Sequence, residues 1–119
     1  MGTIMKFKLI VVLTVEKFTG DLITAGREAG ATGVTVVSHG SGEGIEPLKS
    51  FLGASLANRT DLILFLVEEH MCRSIMDTLV VVGQMKDKHT GIAFQLDVED
   101  AVGISRQISE LVPLIDEKI

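Results

Sequence analysis

The stretch that decides the fold is Gly91-Ile-Ala-Phe-Gln-Leu-Asp-Val-Glu-Asp-Ala-Val-Gly-Ile104. Its apolar residues at positions 92, 94, 96 and 98 alternate with Ala93, Gln95 and Asp97. This two-residue period is typical of a strand that buries one face. A polar segment, residues 86–90, comes directly before it. The sequence therefore predicts a last strand that is entered from a polar loop.

Three further strands and two long helices are predicted ahead of this strand. β-branched residues predict strands at residues 6–16 and 33–38, and a run that is apolar on both faces predicts a third at 62–67. The first helix is predicted at residues 19–29, with Thr19 as its N-cap and Gly30 just after its end. The second is predicted from residues 68–69 to about 85. The apolar residues at helical spacing are Leu22, Ala25 and Ala29 in the first helix, and Cys72, Ile75, Leu79 and Val82 in the second.

The order strand–helix–strand occurs twice along the chain. It predicts an α+β fold, the ferredoxin-like βαββαβ split βαβ, with an antiparallel sheet and both long helices on one face. Apolar spacing over residues 104–115 predicts an added C-terminal helix, and Pro47 opens a short helix at 47–57. At 119 residues, we expect a single domain over residues 1–119.

The second face of the predicted sheet carries little polar surface, because residues 62–67 are all apolar. A large apolar face on a soluble protein marks an interaction surface. We therefore expect identical subunits to cover it in a homo-oligomer. The alternative is that the helices at 47–57 and 104–115 cover it within one chain.

Composition argues against binding to nucleic acid. The net charge is −5, and the chain has no Trp or Tyr, whereas nucleic-acid binding relies on clustered basic residues and on aromatic stacking. An RNA-recognition domain has the same strand order, but it needs aromatic and basic residues on its third strand. Residues 62–67 offer one Phe and no basic residue.

The single cysteine, Cys72, excludes an internal disulfide and fits a reducing compartment. The first fourteen residues lack the pattern of a secretory signal. The apolar run near the N-terminus is far too short to span a membrane. We therefore expect a cytoplasmic protein without direct membrane insertion.

Two sequence segments resemble segments of the nitrogen-regulatory PII signalling proteins. Val98-Glu-Asp-Ala-Val102 is similar to the end of the last strand of that family. Gly30-Ala-Thr-Gly-Val-Thr-Val36 is similar to its phrase Gly-x-Thr-Gly-Met-Thr-Val, and the order of elements matches over residues 6–104. The resemblance implies a non-enzymatic homotrimer that senses a small anionic ligand, with ATP, ADP or AMP as the expected effector, in clefts between subunits. It also implies that the loop between the second and third strands, here residues 39–58, regulates a transporter or an enzyme.

The resemblance also places the ligand-binding residues. Gly33 and Thr35 would lie at the floor of the cleft, and Gly40, Ser41 and Gly42 would form the root of the signalling loop. Residues 86–91 would form the phosphate loop, in which Lys86, Lys88 and His89 meet charge. Thr90 would be a further ligand-binding residue, and Gly91 would allow the backbone to approach the ligand closely. A solvated turn after a helix explains the same lysines. Where the family has a Lys directly after the last Gly of this loop, the present chain has Ile92.

Other chemistries fit these residues less well. Residues 39–44, His-Gly-Ser-Gly-Glu-Gly, do not match the nucleophile motif Gly-x-Ser-x-Gly, so no catalytic residue is predicted. His70 and Cys72 fall on different sides of a helix, so no metal ligands are predicted. Two alternatives stay open. One is a trimeric interaction module without a ligand, which Ile92 favours, and the other is a metal-tolerance-type trimer of the same fold, which needs a metal-coordinating constellation.

Overall fold

The structure, a computed structural model, describes residues 5–38, 59–86 and 90–103. The described strands and helices follow the predicted βαββαβ order, and the strands lie close to the predicted ranges. The predicted helices at 47–57 and 104–115 lie outside the described residues. The elements are β1 (Phe7–Val15), α1 (Thr19–Glu28), β2 (Gly33–Val37), β3 (Thr60–Glu68), α2 (Cys72–Val82) and β4 (Gly91–Val98), with 3-10 turns at Glu16–Phe18 and Glu69–Met71.

The four strands form one antiparallel sheet in the order β2-β3-β1-β4. β1 is central, and β2 and β4 are the edges. The register sets Leu9 beside Leu66 on one side and beside Leu96 on the other. This is the ferredoxin-like arrangement predicted from the sequence, in which the two halves of the chain interleave.

One face of the sheet forms the core with both described helices. Its central side chains are fully buried: Ile10, Val12, Ile63, Phe65 and Val67. They pack with Leu22 of α1 and with Cys72, Ile75 and Leu79 of α2, so three of the four residues of the predicted stripe in α2 are buried. The fourth, Val82, is partly buried against the core.

The two helices end in the same way. The amides of Gly30 and Ala31 donate to Arg27 and Gly26, and those of Gln84 and Met85 donate to Val81 and Val80. Each pair is a Schellman motif, which needs a residue with positive φ just after the helix. Gly30 takes this position in α1 with φ 118°, as its place in the sequence predicts, and Gln84 takes it in α2 with φ 52°.

The start of α1 differs from the prediction that Thr19 is its N-cap. Phe18 occupies that position and makes no side-chain cap. The Thr19 hydroxyl instead donates to Asp61 Oδ2 of β3 at 2.6 Å. The tertiary partner outcompetes the local cap, because a hydrogen bond to a nearly buried carboxylate is stronger than one to a neutral acceptor.

The second face of the sheet carries three cross-strand rows of apolar side chains, and neither described helix packs on it. The alternation seen in residues 92–96 belongs to this face, since Ile92, Phe94 and Leu96 point away from the helices, whereas Val98 packs against the core. Leu96 is 50% exposed. The rows are Leu9–Leu66–Leu96, Val11–Leu64–Phe94 and Leu13–Leu62–Ile92.

None of the helices in the described ranges has both the length and the apolar character needed to cross a membrane.

Candidate functional site

The predicted cleft residues lie at opposite edges of the sheet within one chain. Gly33 and Thr35 belong to the edge strand β2, whereas Thr90 and Gly91 lead into the edge strand β4. Three strand spacings of about 4.8 Å put about 14 Å between these edges. The structure therefore does not bring the two groups together in a single chain. Gly40, Ser41, Gly42, Lys88 and His89 lie outside the described residues.

Gly33 and Thr35 continue the apolar second face at its β2 edge. Their register partners are Leu66 and Leu64, which belong to two of the three apolar rows. Thr35 is exposed, and a Cβ at Gly33 would lie 3.4 Å from the Cβ of Leu66. The predicted cleft floor is thus a polar margin directly beside the apolar rows.

The connection from α2 to β4, residues 83–90, is closed at its base by a threonine. The Thr90 hydroxyl lies 2.6 Å from the carbonyl of Gly83 and 3.1 Å from that of Gln84. Thr90 is 9% exposed. Its hydroxyl shares one proton between the two carbonyls, so its side chain holds the loop together, and a direct contact of Thr90 with a ligand stays a prediction. Lys86 stands exposed beyond this clamp.

The end of β1 connects the base of this loop to the start of β3. The Val15 amide donates to the Thr90 carbonyl at 2.9 Å, and the Glu16 amide donates to the Arg59 carbonyl at 3.0 Å. The Arg59 and Glu16 side chains form an ion pair, Nη1 to Oε2 at 3.5 Å. An open depression of about 640 Å³ lies here, lined by Val15, Glu16, Lys17, Arg59 and Thr90.

Sequence reasoning missed Arg59 and Glu16. Neither lies in a recognisable motif, and they meet only because β1 pairs with β3 in the register that sets Val15 beside Thr60. Arg59 is also the first described residue after 39–58. The root of that segment and the loop at 83–90 therefore emerge at the same end of the sheet.

A second polar group lies at the opposite end of the sheet, on the helix face. Lys8 Nζ is 3.0 Å from Asp97 Oδ1, and this hydrogen bond raises the pKa of Lys8. The Cys72 thiol donates to Gln95 Oε1 at 2.9 Å. Burial raises the pKa of Cys72, so the thiol is protonated at neutral pH and is a poor nucleophile.

Among the described residues, Glu68, Glu69 and His70 place candidate metal-ligand atoms within 4.8 Å of one another. The Glu68 carboxylate is 1% exposed and accepts from the His70 backbone amide at 2.7 and 2.9 Å. It also lies 2.9 Å from Nδ1 of the His70 ring. These contacts cap the 3-10 turn after β3, and they account for the cluster without a metal.

An open antiparallel sheet in the order β2-β3-β1-β4 with two helices on one face defines the ferredoxin-like class of folds. The family model for nitrogen regulatory protein P-II matches residues 7–107, and the chain belongs to that family. PII-family proteins are signalling proteins. No curated protein matches the chain.

Solved structures share this fold at low sequence identity. CPII, a nitrogen regulatory PII-like protein from Thiomonas intermedia K12 bound to ADP, AMP and bicarbonate, is 17% identical, with a TM-score of 0.59 over 81% of this chain and 93% of CPII. Arabidopsis thaliana PII bound to citrate is 16% identical, with a TM-score of 0.58 over 83% of each chain. A DUF3240 family protein from Shewanella baltica OS155 is 9% identical, with a TM-score of 0.57 over 88% of this chain and 100% of that one.

Proposed function

We propose that this chain is a PII-like regulatory protein that works as a cytoplasmic homotrimer without enzymatic activity. It senses a small anionic ligand, an adenine nucleotide such as ATP, ADP or AMP, in the clefts between subunits. It passes the state of those clefts to a transporter or an enzyme through residues 39–58. Family membership over residues 7–107 supports the regulatory role.

The observation that carries the proposal is the separation of the predicted cleft residues. Gly33 and Thr35 lie on one edge strand, and the phosphate loop enters the other. A ligand that touches both groups needs β2 of one subunit beside β4 of another. A site of this kind exists only in an assembly.

The apolar second face supports the same assembly. Three rows of three apolar side chains cross β3, β1 and β4. Val11 and Leu13 are buried, and the other seven keep part of their surface exposed. An apolar surface of this kind marks an interface. Burial against other subunits stabilises the assembly by about 25 cal/mol for each Å² removed from water. Closed symmetry lets every subunit bury the same face.

The expected ligand class rests on the loop and on the relatives. Lys86 is exposed just after α2, and the sequence adds Lys88 and His89. CPII, which shares the fold, is bound to ADP, AMP and bicarbonate, and the Arabidopsis relative is bound to citrate. All of these ligands are anions, and clustered cations beside backbone amides bind anions.

Calorimetry with ADP tests the ligand. We expect the double variant Lys86→Ala/Lys88→Ala to bind ADP about tenfold more weakly or worse, since hydrogen bonds to charged groups contribute about 1.5–3 kcal/mol each. Lys6→Ala, an exposed lysine before β1 at the other end of the sheet, is the matched control and should bind as the wild type does. Equal affinity in all three proteins would remove the loop lysines from the proposal.

Light scattering after size-exclusion chromatography tests the assembly. Leu64→Asp puts a charge in the middle row of the second face, and we expect it to convert a trimer into monomers. Thr24→Asp, on the exposed side of α1, is the control and should stay trimeric. A wild-type protein that is a monodisperse monomer would contradict the proposal.

A trimeric interaction module without a ligand is the second candidate. Ile92 stands where the family has a Lys, and the register sets it in the apolar row with Leu13 and Leu62. The Ile92 side chain carries no charge with which to bind a phosphate. If the trimer forms and ADP, ATP and AMP all leave its melting temperature unchanged, this candidate is preferred, because a bound ligand raises stability.

A further inference from the structure

The end of β1 is hydrogen-bonded to Thr90, the last residue of the 83–90 loop, and to Arg59, the residue directly after segment 39–58. The Val15 amide points towards β4 and binds the Thr90 carbonyl, and the next amide, Glu16, points towards β3 and binds the Arg59 carbonyl. Consecutive amides of a strand point to opposite sides in the plane of the sheet. Residues 15 and 16 therefore form a two-amide bridge from the base of the 83–90 loop to the root of segment 39–58.

We propose that this bridge, formed by Thr90, Val15, Glu16 and Arg59, transmits the state of the 83–90 loop to the root of residues 39–58 inside a single subunit. The inference rests on the function proposed above and adds a regulatory path to it. A ligand that draws on the loop moves the Thr90 carbonyl, and the shift passes through the Val15–Glu16 peptide to Arg59. Thr90 and Glu16 act here as positioning residues.

Thr90 is suited to this role because its side chain and its backbone serve different partners. The hydroxyl binds the Gly83 and Gln84 carbonyls, which closes the loop. The carbonyl accepts from Val15, which joins the loop to β1. A change in the hydrogen bonds of the Thr90 hydroxyl therefore moves the Thr90 carbonyl, which is bonded to β1.

The backbone bond, and not the ion pair, carries the link to Arg59. The Arg59 and Glu16 side chains are 73% and 44% exposed, and exposed ion pairs contribute only about 0–1 kcal/mol. The 3.0 Å bond from the Glu16 amide to the Arg59 carbonyl fixes backbone to backbone. This distinction allows a matched pair of variants.

Glu16→Pro removes the amide donor, and Glu16→Ala keeps it while losing the same side chain. Proline fits this position, since Glu16 opens a 3-10 turn and Val15 before it is extended, with φ −65° and ψ 145°. Thr90→Val then opens the loop without any ligand, because valine has the shape of threonine but no hydroxyl. The readout is the backbone amide chemical shift of Gly91 and Thr60, which share peptide units with the Thr90 and Arg59 carbonyls.

We expect Thr90→Val to shift both amides in the Glu16→Ala background and only Gly91 in the Glu16→Pro background. A Thr60 shift of equal size in both backgrounds, or in neither, overturns the bridge. If Glu16→Pro does not fold, the test is Thr90→Val in the otherwise wild-type protein. An unchanged chemical shift of the Thr60 amide in that variant overturns the bridge.

A second arm titrates ADP into the Glu16→Ala and Glu16→Pro proteins. We expect Lys86 and Gly91 to shift in both, and Thr60 to shift in Glu16→Ala alone. If ADP shifts nothing while Thr90→Val gives the expected pattern, the bridge stands and the proposed ligand is wrong. If ADP shifts Thr60 equally in both proteins, the ligand stands and the bridge is wrong.

Discussion

The two halves of the chain share the same order of strand, 3-10 turn and helix, but they differ in the connection that leads from the helix back to the sheet. In each half a nine-residue strand runs into a three-residue 3-10 turn and then into a helix, α1 or α2. Each helix ends in a Schellman motif. After α1 the chain re-enters the sheet through residues 29–32, whereas after α2 it uses residues 83–90, a connection twice as long.

The short connection is fixed to β3 by its last residue, Thr32. Thr32 donates to the Leu66 carbonyl from its amide at 3.0 Å and from its hydroxyl at 3.1 Å. The long connection is described as far as Lys86 and again from Thr90, whose hydroxyl binds the carbonyls of Gly83 and Gln84. Binding residues concentrate on loops that a rigid scaffold positions, and the longer connection of the second half is the loop to which we assign the proposed ligand.

The largest expected effect concerns how closely α1 approaches the sheet. Gly26 lies three residues before the C-cap of α1, where α2 has Val80. A Cβ at Gly26 would collide with the ring of Phe65, which is fully buried. We expect Gly26→Ala to lower the free energy of unfolding by about 1–3 kcal/mol, as overpacking does, measured by urea denaturation.

Gly20→Ala is the matched control in the same helix. A Cβ there meets nothing within 4 Å, so alanine should be neutral or stabilise the protein by up to about 1 kcal/mol. If both substitutions behave alike, close packing of α1 on Phe65 is not what distinguishes the first half.

A smaller effect is expected at the residues that end the two helices, and with opposite signs. Gly30 and Gln84 occupy the same Schellman position at φ 118° and φ 52°. A side chain in the left-handed region costs about 1–2 kcal/mol. Gly30→Ala should therefore destabilise the protein by at least about 1 kcal/mol, more so because its Cβ would collide with Met71, and Gln84→Gly should stabilise it by about 1 kcal/mol.

Thermal denaturation of both variants measures the pair, with Gln84→Ala as the control that keeps a Cβ. Gln84→Ala should resemble the wild type. If Gln84→Gly is no more stable than Gln84→Ala, the positive φ of Gln84 does not strain the end of α2. The two helix ends would then not differ in stability for this reason.

Much of the order of strands and helices could be predicted from the local pattern of apolar residues and glycines. The alternation of residues 91–98 predicts β4, the spacing of Cys72, Ile75 and Leu79 predicts α2, and Gly30 predicts the end of α1. The side on which the β4 side chains lie could not be predicted. Alternation gives a period but no direction, and only the pairing of Leu9 with Leu66 and Leu96 shows that β4 contributes its apolar side to the second face.

The candidate site was less accessible to sequence reasoning, because its contacts join distant parts of the chain. Thr19 has the local pattern of an N-cap, yet its hydroxyl binds Asp61, 42 residues away. Glu16 meets Arg59 only through the register of β1 with β3. A single sequence carries no signal for such pairs. Thr90 was singled out as a ligand contact from its place in the loop, while its use as the clamp depends on carbonyls that no motif specifies.

The smallest expected effect is a pH dependence that the second half adds. The core stripe of α2 contains a titratable group, Cys72, and the buried residues of α1 are Leu22 and Gly26. Burial raises the pKa of the thiol above its usual value of 9.0. The unfolded chain therefore releases this proton at lower pH than the folded chain, and the stability that is complete below about pH 9 falls as the pH rises towards the raised pKa.

Urea midpoints at pH 7 and at about pH 10 measure this slope. Cys72→Ala loses some packing at every pH, so the comparison is between slopes, and the slope of the variant should be shallower than that of the wild type. Lys8 contributes with the same sign at higher pH, because its pKa is also raised by Asp97 and its favourable charge is lost as the pH rises. Lys8→Met therefore separates the two groups. Parallel slopes for wild type and Cys72→Ala would mean that the thiol is as well solvated in the folded chain as in the unfolded one, and that the two helices do not differ in this respect.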